Sequence, residues 1–391
     1  MNYTFTQREK MVSYTLMGIG LVAIIASFVM DSHEAWANLL ISNFFFMAIG
    51  LFAMFFLSMQ FLSQAGYGVL VKRVPEAFSQ YLLVGGPLML IIVGLGGYQA
   101  IYHWMHITLE PGSEHYDKII AGKSAYLNIP FFMLRSVIYV GVWGWCAHML
   151  RKYSLQQDLN GGEIFHKKSI TMSVIFVVFF AVTTFTSSWD WYMSIDAHWY
   201  STLYGWYIFV GEAVIGIAAI ILFVLYLKSK GMLQNVNENH IGDLGKWMFA
   251  ISLVWSYLWL SQFLLIWYAN IPEEVAYYQY RIENYKYIFF GMLAFNFIAP
   301  FFILASKAAK RNSKFVLVVA VLVIIGHYMD LFQLITPGVT SNPDGYIGLV
   351  EVGTWLGFLG LFLFVVKRSL AKASLQVESH PYLEESLHLH H

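Results

Sequence analysis

The stretch Thr183–Glu212, TTFTSSWDWYMSIDAHWYSTLYGWYIFVGE, places three carboxylates (Asp190, Asp196 and Glu212) and one histidine (His198) among aromatic residues between two long apolar runs. Ionisable groups in or beside such runs are costly and mark proton or ion handling. Arg135 and Glu351 also fall in apolar runs, as do His327 and Asp330, which are three apart and so share a helix face. These eight residues can take and pass protons, and they form the set of proton-relay candidates. By depth, Arg135, Asp190 and Glu212 are expected to line one pocket opening outward, with Asp196 and His198 at its mouth. His327, Asp330 and Glu351 are expected to form a second polar group. A plainer reading stands beside this one: Arg135 only neutralises a carboxylate, and Asp190 only caps a helix end. His148 reads as interfacial and inert, and His103, His106, His115 and the tail histidines as solvated.

The elements that position these groups are membrane spans. The 391 residues are 58% hydrophobic and 12% charged, whereas a soluble protein carries about 25% charged residues. A span needs about 20 apolar residues, and ten are read: 11–30, 35–63, 80–102, 127–150, 169–192, 199–227, 244–268, 286–306, 314–334 and 345–366. Residues 1–372 make one all-α polytopic domain and 373–391 a polar tail. Glu212 lies about thirteen residues into the sixth span, near the midplane, and Glu351 about six into the tenth. Pro87 and Pro300 are expected to kink their helices, while Pro130 sits near a helix start. Lys and Arg concentrate on the N-terminus, the loops 64–79, 151–168, 228–243 and 307–313, and the tail. That asymmetry places both termini in the cytoplasm.

Zero net charge gives no indication of nucleic-acid binding. With one cysteine, Cys146, the chain has no internal disulfide, no CxxCH haem attachment and no cysteine-ligated iron–sulfur cluster. No metal-ligand spacing appears, so any electrons are held by a partner or a diffusible carrier. Gly94, Gly96 and Gly97, inside a span, read as close helix packing. The aromatic residues around Trp189 and Trp199 suit an interfacial belt and equally the walls of a quinone headgroup site.

The run DWYMSIDAHWYSTLYGWYIFVGE at 190–212 resembles the large membrane subunits of alternative complex III, within the NrfD-like family of polysulfide-reductase and nitrite-reductase membrane subunits. WLSQFLLIWYANIPEE at 259–274 and the YYQYR run ending at Arg281 carry the same resemblance. The family has paralogous C and F types, and the tail HPYLEESLH at 380–388 resembles the F type. The resemblance implies two four-helix bundles plus two further helices. It implies a bacterial inner-membrane quinol:cytochrome c or quinol:oxidase oxidoreductase complex, with menaquinol oxidised and electrons passed onward. The implied partners are the paralogous ten-span membrane protein of the C type, multihaem and monohaem cytochrome c subunits, an iron–sulfur subunit, small membrane subunits and lipids. Haem c and the clusters would belong to those partners, leaving this chain free of covalent cofactors.

Three functions are compatible with these residues. The first is a cofactor-free subunit of the respiratory complex, either non-catalytic or carrying a quinol site, that relays or releases protons in its outer half. The second is a stand-alone proton-coupled transporter. The third is a structural paralogue of the quinol-oxidising subunit, its polar groups fixing helix register. The loops 103–126 and 269–285 are expected to dock the haem and iron–sulfur subunits.

Overall fold

The computed structural model of the chain describes residues 3–107, 112–113, 116–340 and 345–389. His115, His390 and His391 lie outside the described residues. Among the described residues there is no β-strand, and ten helices are long and apolar enough to cross a membrane. They are α1 (Gln7–Met30), α2 (Ser32–Leu62), α3 (Arg73–Ile101), α4 (Ile129–Asn160), α5 (Ile164–Trp191), α6 (Tyr204–Ser229), α7 (Glu238–Ala269), α8 (Lys286–Ile303), α9 (Ser313–Val339) and α10 (Leu349–Leu370). The chain is a multi-pass membrane protein. Ten crossings return both termini to one side, here called the basic end, and the opposite side is the far end.

Helix ends follow local chemistry more than hydropathy. Thr6 starts α1 through a capping box, its hydroxyl accepting from the Glu9 N–H while the Glu9 carboxylate accepts from the Thr6 N–H. α4 runs ten residues beyond its expected end because nothing stops it before Gly161, which takes φ +66°. α6 begins at Tyr204 rather than 199, since residues 199–201 are irregular and 202–203 form a turn.

α2, α3, α4 and α5 form one bundle and α6, α7, α8 and α9 a second. The nearly all-buried α2 and α6 pack on each other at the join. α1 and α10 pair and lie against α2, giving two four-helix bundles with a peripheral pair. That pair meets through small residues: a Cβ on Gly20 would sit 2.2 Å from the Gly357 Cα, and Gly353 faces Ala23. Between helices in lipid, such close backbone approach is what holds the contact.

Pro130 falls in the first turn of α4, where its missing N–H costs nothing. Pro87 precedes a π-helical stretch at Ile92–Ile101, and Pro300 follows one at Ala294–Ile298. Both helices therefore widen their backbone ladder beside the proline. Gly96, in the first of these stretches, lets α3 lie against the Trp36 ring of α2, which a Cβ would approach to 2.4 Å. At the far end a further helix, Pro272–Asn284, joins α7 to α8.

The tail is not a loose extension. Leu375 and Val377 are buried, and Ser386 donates to the Tyr67 carbonyl at 3.3 Å. The side-chain amides of Asn237 and Asn239, at the start of α7, both donate to the Leu389 carbonyl. His380 is half-buried against His166, Phe61 and Tyr382, which corrects the expectation that the tail histidines are solvated. His103, His106 and His388 are exposed.

Candidate functional site

In the first bundle, α4 brings Arg135 to Asp190 at the far end of α5. The guanidinium grips the carboxylate with two hydrogen bonds, Nε to Oδ2 at 2.8 Å and Nη2 to Oδ1 at 2.7 Å. The Tyr139 hydroxyl adds a third at 2.9 Å, and Asp190 has no exposed surface. The Arg135 guanidinium also lies over the Tyr126 and Phe131 rings, 3.8 and 4.2 Å from their centroids, and donates to the Tyr126 carbonyl. Each charge has its partner, and the bidentate geometry is the strong form of such a pair. This geometry is a lock between two helices.

The second bundle arranges its carboxylate differently. Asp330 on α9 accepts from the Tyr207 hydroxyl at 2.6 Å, the Trp255 indole at 3.2 Å and the Gln333 amide at 3.3 Å. These donors are neutral. Among the described residues its one ion-pair contact is His327, whose Nδ1 is 3.7 Å from Oδ2. The other nitrogen of the His327 ring, Nε2, is buried without a hydrogen-bond partner among the described residues, as are both polar atoms of the Asn296 amide. Asn296 sits in the π-helical turn of α8 and reaches α9 beside His327, where a Cβ on Gly326 would lie 2.2 Å from its Oδ1. Buried polar groups are usually paired, so unpaired ones beside a carboxylate–imidazole couple make this cluster a candidate site.

From this couple the polar residues continue to the far surface. Arg281, from the helix Pro272–Asn284, donates to the Gln333 and Leu334 carbonyls at 3.0 and 3.3 Å, one turn above Asp330. It also holds Asp196 at 3.0 Å. Asp196, His198 and Arg281 line an open cleft of about 350 Å³. His198 meets Asp117 at 2.6 Å on the rim. The Ile120 N–H, and then His198, hold the Asp117 carboxyl below the usual carboxylate range.

No protein-family model matches the chain, and no curated protein matches it.

The expected groupings change in three places. Asp196 and His198 stand at the mouth of the second bundle, because Arg281 draws Asp196 toward α9 rather than toward Arg135. Glu212 does not join Arg135 and Asp190. It lies eight residues into α6, about 12 Å from that helix's far end, and its partner among the described residues is the Thr184 hydroxyl at 3.5 Å. Glu351 does not join His327 and Asp330. It lies in the first turn of α10, accepting from the Gly348 N–H at 2.7 Å and the Asn38 amide at 3.0 Å, because that helix starts at Leu349 rather than 345.

Sequence reasoning missed Arg281, Tyr207, Trp255, Gln333 and Asn296. Tyr207 and Trp255 were hidden among many aromatic residues, and neutral amides carry no charge signal. A second omission is at the basic end, where Glu76 accepts from Arg73 at 2.7 Å and Arg151 at 2.5 Å, with Lys72 at 3.6 Å. The Arg73 and Glu76 pair, three apart, was its available sign.

Quinol oxidation releases two protons, and an acid or histidine beside a ring oxygen is the usual acceptor. The aromatic cleft of about 530 Å³ formed by Trp189, Trp199, Tyr126 and Met193 has suitable walls. None of its lining residues is an acid or a histidine, and Lys123 there is tied to the Ala197 carbonyl at 2.7 Å. The residues of this cleft do not fit quinol oxidation.

Proposed function

We propose that this chain is an F-type membrane subunit of a quinol-oxidising respiratory complex, with its basic end in the cytoplasm of a bacterium, and that its second bundle handles protons. The observation that carries the reading is the environment of Asp330: a buried carboxylate with neutral donors, a histidine at 3.7 Å and an open cleft above it. The Asp330–His327 couple can hold one proton between two bases, and Tyr207 orients the carboxylate. Asp196 is the acceptor at the cleft, and Arg281 fixes it over the last turns of α9. The first bundle, with Asp190 locked to Arg135, serves as scaffold. Glu212, with one long hydrogen bond, is a second group that can change protonation.

On this reading menaquinol is oxidised in the paralogous ten-span protein, and haem c and iron–sulfur clusters reside in the extramembrane partners. The far-end helix Pro272–Asn284 and the short helix Lys118–Lys123 present docking surfaces for them. The test is purification through this subunit in mild detergent, with a visible spectrum and mass spectrometry. A c-type haem spectrum, an iron–sulfur subunit and a second ten-span subunit are expected. In that complex Asp330→Asn should assemble normally and lose most proton-coupled turnover. A colourless solitary protein refutes the respiratory reading, and full turnover in Asp330→Asn refutes the proton role.

A further inference from the structure

A groove of about 790 Å³ lies at the basic end between α3, α4 and α10. Its floor is apolar, with Leu361 and Phe364 of α10 among the lining residues, and its walls belong to membrane-spanning helices. Its rim is cationic. His148 and Lys152 are four residues apart on α4, and Arg368 and Lys372 are four apart at the end of α10. His148 and Lys152 therefore stand side by side on one face of α4, while Lys372 lies in the turn two residues after the last residue of α10, Leu370. The groove thus has two basic pairs, His148 with Lys152 on α4 and Arg368 with Lys372 at the end of α10.

These four side chains are exposed, and among the described residues none of them enters an ion pair or a hydrogen bond. Their neighbour Arg151 shows the contrast. It also lines the groove, yet its guanidinium is committed to Glu76 at 2.5 Å and to the Ser369 carbonyl at 3.2 Å. The buried network thus anchors the groove, and the rim charges are left over from it. A second groove of about 550 Å³, of mixed lining, shares Phe364, Arg368 and Lys372 and adds Lys10, so the α10 pair stands between two grooves.

We propose that this groove is a binding site for a phospholipid with two phosphates, of the diphosphatidylglycerol class. One phosphate sits at His148 and Lys152 and the other at Arg368 and Lys372, with acyl chains in the flanking grooves. Basic pockets between spanning helices at the positively charged end of a membrane protein recognise such headgroups through charge, while the apolar floor takes the chains. The site draws on neither Asp330 nor its cleft and is independent of the function proposed above.

The test is native mass spectrometry of the full chain, as purified, with added tetraoleoyl diphosphatidylglycerol, dioleoyl phosphatidylglycerol at equal total phosphate, or dioleoyl phosphatidylcholine. The diphosphate lipid is expected to be retained about tenfold more than phosphatidylglycerol, and phosphatidylcholine least. The double variant Lys152→Gln/Arg368→Gln should lose about tenfold or more of that retention, as expected when two surface cations are removed. Lys314→Gln, an exposed lysine outside the groove, should retain it. Thermal midpoints of all variants establish that they are folded, and Lys152→Gln alone replaces the double variant if that one unfolds. Equal retention of the diphosphate lipid and phosphatidylglycerol, or a folded rim variant that binds as the parent does, overturns the proposal.

Discussion

Replacing Asp190 by Asn separates a lock from a relay. The substitution keeps the shape of the side chain and removes its charge, leaving the Arg135 guanidinium, itself 9% exposed, without a counter-ion. Breaking one partner of a buried pair costs about 3–5 kcal/mol. The structure points to the lower part of that range. Arg135 keeps the Tyr126 carbonyl at 3.1 Å and two aromatic faces within 4.2 Å, and these soften the loss. We therefore expect Asp190→Asn to cost about 3 kcal/mol. Tyr139→Phe, which removes one of three hydrogen bonds to the same carboxylate, should cost about 1 kcal/mol. Arg135→Gln with Asp190→Asn should recover at least half of the single loss, because two neutral amides can still meet across the helices. The assay is reversible unfolding in mixed micelles, with the coupling taken from the double-mutant cycle. An Asp190→Asn cost below about 1 kcal/mol, or a double variant as damaged as the sum of the singles, would show that the pair is not a lock.

Two further outcomes follow from other parts of the fold. Burial, with the charge of Lys72 and then of His166, holds the His380 imidazole down to about 3 from its ordinary 6.5. Because the folded value is the lower one, the docked tail binds fewer protons. Its docking should be complete above about pH 6.5 and weaken as pH falls toward 3. Hydrogen exchange over 375–389, corrected for intrinsic rates, should show this, and His380→Phe should remove the dependence. Gly357→Leu drives a side chain into the Gly20 backbone and should cost at least about 1–3 kcal/mol, read in the same micelle assay, with Gly357→Ala intermediate.

The ten spans and the all-helical fold were legible because a run of apolar residues long enough to cross a membrane has few alternatives. The eight candidate residues were legible one by one, since a charge in such a run stands out. Their grouping was not. Depth depends on where each helix starts, and a five-residue shift in the start of α6 brings Glu212 from about thirteen to eight residues from the helix end. Four residues at the start of α10 turn Glu351 from an acid about six residues into the span into a first-turn cap. Asp196 belongs to the other bundle because its partner, Arg281, lies 85 residues away on a helix with little apolar signal. The neutral partners of Asp330 come from α6, α7 and α9, and only packing shows that they converge.

The pairing of α1 with α10 has a consequence for how the protein is made. Helix α1 leaves the ribosome before the other nine spanning helices, and the helix that covers its small-residue face begins more than 300 residues later. At roughly 5–20 residues per second, α1 waits in the bilayer for tens of seconds with Gly20 and its neighbours facing lipid or a helper protein. The two bundles can close during synthesis, each from helices consecutive in the chain. The peripheral pair cannot, so its closure waits until α10 has been made, after both bundles. A nascent chain stalled before residue 349 should hold its bundles and leave α1 free.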